Sequence, residues 1–174
     1  MSYRRLFVWV EGPDDLRLFE TMVKPVLARR YNWIDIVQYA CMKDEKVRDF
    51  VTSMKAMNAD YLFARDIDTF PCASAAKANA VSHVANLDPA RIIVVKREIE
   101  SWYLAGLNRR SARRLGFRHP GNTEAITKEG FNGLIPRRFT SRVDFMIEVL
   151  KSATIADARR NNGSFDYFSK KHMS

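Results

Sequence analysis

The sequence predicts an α/β fold: a doubly wound, mainly parallel four-stranded sheet, Rossmann-like in plan, followed by a helical C-terminal extension. Three observations carry this expectation. Four short apolar runs that read as strands occur before residue 100, segments with apolar residues at helical spacing separate them, and beyond residue 100 the strand signal stops.

LFVWVEG (6–12) is a continuous apolar run ended by glycine, as expected of a strand buried on both faces. Pro13, Asp14 and Asp15 then open a helix, since proline suits the first turn and acids there complement the helix dipole. Leu16, Phe19, Met22, Val23, Val26 and Leu27 are its expected apolar stripe. WIDIVQYA (33–40) is a second strand, with Ile34, Ile36 and Gln38 alternating against Asp35 and Val37. Asp44 and Glu45 start a helix whose stripe is Val47, Phe50, Val51, Met54 and Met57. YLFARDID (61–68) is a third strand, apolar first and acidic last, and the alanine-rich 73–86 is helical. RIIVVKREIE (91–100) is a fourth strand, buried from Ile92 to Val95. SWYLAGL continues as a helix, and NRRSARRLGF brings Arg109, Arg110, Arg113 and Arg114 to one side of the next. A loop through His119, Pro120, Gly121 and Asn122 follows. Thr140 or Ser141 is expected to cap a helix in which Val143, Met146, Ile147 and Leu150 share a face. NNGS (161–164) reads as a turn, and Phe165 and Phe168 as anchors for the tail. The expected organisation is an α/β domain over 1–106 and a basic helical extension over 107–174 packed on it.

The 174 residues, 47% hydrophobic and 28% charged, suit a chain with a real core rather than a disordered polymer. No apolar run approaches the roughly 18–20 residues that cross a bilayer, and the N-terminal apolar stretch, short and running straight into acid, is not read as a signal peptide. Cys41 and Cys72 stand far apart, and His83, His119 and His172 are scattered, so a Cys/His metal site is not expected. Two lone thiols fit a reduced cytoplasm. Charge is distributed unevenly. Residues 1–90 hold 12 Lys+Arg and 12 Asp+Glu, whereas residues 91–174 hold 17 and 8, so the whole net charge of +9 lies in the second half. Most of that excess is arginine, the side chain suited to bidentate phosphate contacts, which points to a polyanionic partner.

The acids are placed where this fold puts ligands, at the carboxyl ends of strands near the reversal of strand order. With the order 2-1-3-4, strands one and three are neighbours there. Glu11 ends strand one and Asp15 follows in the first helical turn; Asp66 and Asp68 end strand three, expected on one face of an extended chain. Four carboxylates in one crevice repel one another, and a hard divalent cation resolves the repulsion. Two such ions about 3.5–4 Å apart are an alternative. Lys96, Glu98 and Glu100 alternate along strand four, so Lys96 would offset charge on a scissile phosphate and Glu98 and Glu100 would supply an outer carboxylate. Each piece alone has an ordinary explanation: EGPDD as a strand-to-helix turn, Asp14 or Asp15 as a helix cap, the glutamates as partners of nearby arginines.

VEGPDD (10–15) followed by RDID (65–68) resembles the topoisomerase–primase (Toprim) domain, whose signature is a strand-end glutamate followed by glycine and a D-x-D after the third strand. Asp15, four residues beyond the glutamate, is similar to the pattern of Toprim nucleases of the overcoming-lysogenization-defect family. REIESWYLAG (97–106) resembles a stretch of small stand-alone Toprim-like proteins. The resemblance covers about residues 5–106. It implies metal-dependent phosphodiester hydrolysis, with Mg²⁺ or Mn²⁺ held by Glu11, Asp15, Asp66 and Asp68, and no tyrosine nucleophile. No ATPase portion like that of long nuclease members is seen, so activity is expected to be ATP-independent or helped in trans. Defence against mobile (phage) DNA is the family-level expectation. Arg109, Arg110, Arg113, Arg114, Arg137, Arg138 and Arg142 would grip a nucleic-acid backbone, with strong salt dependence and little sequence preference. A non-catalytic nucleic-acid-binding or regulatory module is the main alternative. A receiver-like phosphoacceptor is a weaker one, because it leaves the basic half unused and Glu11-Gly12 occupies the place of its paired acids.

Overall fold

Residues 5–10 place apolar side chains on both faces of an extended chain, and such a strand is stable only where both faces are covered. In the computed structural model, which describes residues 3–174, they form β1 (Arg5–Val10), whose Leu6, Val8, Trp9 and Val10 are buried. Met1 and Ser2, at the head of the segment considered above for a signal peptide, lie outside the described residues. The chain divides into two compact units, Met1–Val94 and Val95–Ser174.

The first unit contains the sheet except for Val95, the last residue of its fourth strand. β1 lies between β2 (Trp33–Gln38) and β3 (Asp60–Asp66), and β4 (Ile92–Val95) completes the order β2-β1-β3-β4. The sheet is parallel throughout, as expected of a doubly wound fold. Its register runs Arg5↔Trp33 to Val10↔Gln38 on one side of β1 and Leu6↔Asp60 to Trp9↔Phe63 on the other. On one face Trp9, Tyr61, Phe63 and Ile92 pack with Val47, Val51 and Met54 of α3 (Asp44–Ala56) and Ala80 of α4 (Ala73–His83). The expected α3 stripe is only partly inside: Phe50 and Met57 stay exposed.

The helix after β1 is not regular. α1 (Pro13–Leu18) passes through a π-helical turn, Phe19–Val23, into α2 (Lys24–Leu27). Pro25 has no N–H to give the carbonyl four residues back, and its ring crowds that carbonyl. The turn widens instead, and the Lys24 N–H reaches the Phe19 carbonyl five residues back. The buried set is therefore Leu18, Phe19, Met22, Val23 and Leu27, while Leu16 and Val26 of the expected stripe are only half-buried.

Two strand ends also differ from the alternation expected of them. β3 stops at Asp66, and Asp68 has φ +50°. Asp66 and Asp68 therefore do not share one face of an extended chain. β4 stops at Val95, Arg97 has φ +69°, and α5 begins at Glu100. Lys96, Glu98 and Glu100 accordingly do not alternate along a strand.

The second unit is helical: α5 (Glu100–Ala105), α6 (Arg109–Leu115), α7 (Lys128–Gly133), α8 (Arg142–Ser152), α9 (Ile155–Asn161) and α10 (Gly163–His172). Short helices depend on their ends, and Asn108, Thr127, Ser141, Thr154 and Asn162 each accept a hydrogen bond from a first-turn N–H, contacts worth about 1 kcal/mol apiece. The segment read as a turn at 161–164 is instead a helix-to-helix joint capped by Asn162. Its core is aromatic. The Trp102 ring stacks on Phe168 at 5.2 Å and meets Phe165 edge-on at 4.9 Å. Phe145 of α8 contacts Phe117, Phe131 and Phe139. α8 therefore buries Phe145, Met146, Val149 and Leu150, and the expected face is rotated, with Val143 and Ile147 exposed. Among the described residues no helix is long and apolar enough to cross a membrane.

Candidate functional site

Because β1 and β3 run parallel in register, their carboxyl ends arrive side by side, and the acids beyond them meet. The half-buried Glu11 carboxylate lies close enough to the Asp66 N–H for that group to favour its charged form. Burial raises the Glu11 pKa above its ordinary value, and the Asp68 charge raises it further; the Asp66 N–H and Arg65 oppose both. Asp15 is buried in the first turn of α1, where its Oδ2 accepts from the Gly12 N–H at 3.3 Å. The helix-cap role considered from the sequence is thus present, in the same neighbourhood as the other acids.

Two members of this neighbourhood had no role assigned from the sequence. Tyr39, just past β2, stacks on Phe63 at 4.4 Å and donates its hydroxyl proton to the Ala64 carbonyl at 2.9 Å. Burial pushes its pKa far up, helped by the Glu11, Asp15 and Asp66 charges, so the phenol stays protonated. Arg65 is largely buried and held from four sides. It donates to the Asp66 carbonyl at 3.2 Å, the Ala76 carbonyl at 3.1 Å, Asn79 Oδ1 at 3.0 Å and Asp68 Oδ2 at 3.4 Å. A fixed cation beside three strand-end acids and Asp15 keeps the cluster from being all one sign. Its only sequence signal was its position immediately before the D-x-D.

The donor set is chemically suited to a hard cation, since every candidate ligand is a carboxylate oxygen. Yet among the described residues no three Asp, Glu, His or Cys side chains are gathered tightly enough to hold one metal ion. The expected four-ligand cage on one ion is therefore not preassembled. Mg²⁺ does not require one, because it commonly takes one or two carboxylates and fills its remaining positions with water and substrate phosphate.

In the second unit, Lys96 Nζ pairs with Glu124 Oε2 at 3.0 Å, and a Glu98 oxygen accepts from the Lys128 N–H at the start of α7. Glu100 is buried and ion-paired with Arg142, whose Nε also donates to Asn132 Oδ1 at 3.0 Å. Arg142 thus has a structural assignment inside the helical unit. Arg114 donates to Ser111 Oγ at 3.3 Å, and Arg138 to the Arg114 carbonyl at 3.1 Å. Arg110 and Arg137 are exposed. Arg109 and Arg113 instead line a concave pocket of about 950 Å³, together with Gly116, Phe117, Arg118 and His119. Arg118 and Phe117 were not singled out from the sequence.

No family model, curated protein or solved structure matches the chain.

Proposed function

We propose that the protein hydrolyses phosphodiester bonds of nucleic acid in a reaction that depends on a divalent cation, Mg²⁺ or Mn²⁺. The observation that supports this best is the meeting of Glu11 with the end of β3, where the Asp66 N–H favours its charged form and the Asp68 charge opposes it. Glu11 and Asp66 would hold the cation, with Asp15 and Asp68 close enough to share its field. A bound cation of this kind neutralises charge on a phosphate and makes water more acidic. The chain's own groups do the rest. Arg65, anchored by Ala76 and Asn79, fixes the turn that carries Asp66 and Asp68. The raised Glu11 pKa marks a carboxylate whose negative charge is unfavourable until a cation joins it. The basic second half, richest in arginine, would supply backbone contacts to the polyanion. Two exposed free cysteines are compatible with a reducing compartment, in keeping with a cytoplasmic setting.

A second reading, nucleic-acid binding without turnover, is favoured by one observation: Lys96 and Glu98, expected to take part in catalysis, are engaged by Glu124 and the Lys128 N–H. Cleavage of labelled DNA and RNA with Mg²⁺ or Mn²⁺, comparing wild type with Glu11→Gln and Asp66→Asn, separates the two. Metal-dependent cleavage lost in both variants supports hydrolysis. Equal trace cleavage by all three proteins ends it and leaves the binding module.

A further inference from the structure

The pocket in the second unit combines features that a smooth basic surface lacks. Arg109 and Arg113 stand one turn apart on α6, and the chain then reverses at Gly116, whose φ of +99° closes the helix and brings Phe117 and Arg118 round to the same concavity. A Cβ at position 116 would only touch Pro136, at 3.4 Å, so the left-handed φ rather than crowding is what calls for glycine here. Three arginines thus line one cavity, and none of the three forms an ion pair with a described residue. Other arginines of this unit are engaged: Arg142 with Glu100, Arg159 with Asp166 and Arg160 with Asp157. Leaving cations unneutralised in a concave site raises the local positive potential and selects an anionic ligand.

The pocket also has an aromatic member. Phe117 is half-buried, held edge-on against Phe145 at 5.6 Å, and so presents a fixed ring among the arginines. Behind it His119 is buried and locked, with Nε2 at 2.9 Å from the Leu104 carbonyl and Nδ1 accepting the Gly121 N–H at 3.0 Å. The wall is therefore rigid. Phosphate-binding cations around an aromatic ring match a nucleotide with an unpaired base, because bases inside a duplex have both faces stacked already. A volume of about 950 Å³ suits one or two nucleotides and excludes a duplex from entering the cavity.

We infer that the concavity formed by Arg109, Arg113, Phe117 and Arg118 is a single-strand subsite, taking backbone phosphates on the three arginines and an unpaired base on Phe117. This rests on the nucleic-acid reading above and names the form of the substrate: single-stranded, or a duplex carrying an unpaired end. The same chemistry is offered by a free nucleotide, and the test distinguishes the two sources.

The test is fluorescence anisotropy of the full chain with a labelled dT 12-mer, a blunt duplex and ATP as competitor, all in EDTA. Three phosphate contacts on a single strand give a salt slope of about −2, or roughly 20-fold weaker binding between 50 and 200 mM salt. Arg109→Ala/Arg113→Ala is expected to reduce the slope by more than 1. Phe117→Leu is expected to weaken the dT 12-mer by at least about 5-fold with the slope unchanged, and Phe117→Tyr to restore it. The blunt duplex should be indifferent to Phe117→Leu. Wild-type binding by both arginine and Phe117 variants overturns the inference, as does equal sensitivity of the duplex to Phe117→Leu. Displacement of the 12-mer by micromolar ATP also overturns it, in favour of a free nucleotide. Cleavage assayed separately keeps the readings apart. If Glu11-dependent cleavage is found but strand binding ignores these residues, the subsite alone fails. If the binding pattern holds and no cleavage occurs, hydrolysis alone fails.

Discussion

Arg142 tests whether the structure has assigned the basic half correctly, because the sequence placed it among the nucleic-acid contacts and the fold places it against Glu100. Only 6% of the Glu100 side chain and 24% of the Arg142 side chain are exposed. Removing one partner of a buried pair costs about 3–5 kcal/mol, since the remaining charge keeps its desolvation penalty and loses the offsetting attraction. The partial exposure of Arg142 admits water and screens the pair, which sets the expectation for Arg142→Ala at the low end, about 3 kcal/mol. With a urea m-value of about 2 kcal/mol/M, the unfolding midpoint of the helical unit should fall by roughly 1.5 M. Glu100→Gln in the Arg142→Ala background removes the stranded charge and should recover at least half of the loss. Urea titrations followed by tryptophan fluorescence, which reports on buried Trp102, measure all three proteins. A loss below about 1 kcal/mol for Arg142→Ala, or a double variant no more stable than the single one, would refute the reasoning.

Glu11→Gln should raise the melting temperature at pH 7. The folded chain holds the Glu11 proton more tightly than the unfolded chain does, so stability falls as pH rises from the ordinary carboxylate value through the raised folded one, and the ionised form carries that cost at neutral pH. The advantage of glutamine should shrink at pH 4 and below, and thermal melts showing no gain at pH 7, or the same gain at pH 4, contradict it. Asn162→Ala should destabilise the helical unit by about 2–3 kcal/mol, because it removes a helix cap and strips hydrogen bonds from a buried site. Asn162 Oδ1 accepts from the Phe165 N–H and Ser164 Oγ, while Nδ2 donates to Thr123 Oγ1 at 3.1 Å. Chemical denaturation giving a loss under about 1 kcal/mol would count against that account.

The parts of the fold legible in the sequence were those fixed by local apolar pattern. The β-branched and aromatic runs of β1 and β4 allowed no other placement, and the parallel order then followed from the alternation with helices. What escaped was decided by backbone conformation or by distant partners. Aspartate tolerates the left-handed region, so D-x-D spacing could not reveal that Asp68 leaves the strand, and nothing local marks Arg97 as left-handed. In α8 two overlapping apolar faces were available, one with Val143 and Ile147, the other with Phe145 and Val149. Phe117, Phe131 and Phe139 surround Phe145 and decide between them. At the candidate site, the acids at 11 and 66 were legible because strand ends in such a sheet converge. Arg65 and Tyr39 were not, because their contribution depends on contacts with Ala76, Asn79 and Ala64 that no spacing rule encodes.

The wide turn at Phe19–Val23 behaves as a phase adjuster in the helix behind β1. One residue absorbed there turns the following helix by about 100°, so Leu27 takes the centre of the inward face and Val26, which would hold it in an unbroken α-helix, is only half-buried. The hydrophobic patterns before and after Pro25 are thereby uncoupled. Straightening this turn into regular α-helix at unchanged length would swing Val26 inward and Leu27 aside, whereas a one-residue deletion between 19 and 23 would leave both halves facing as they do.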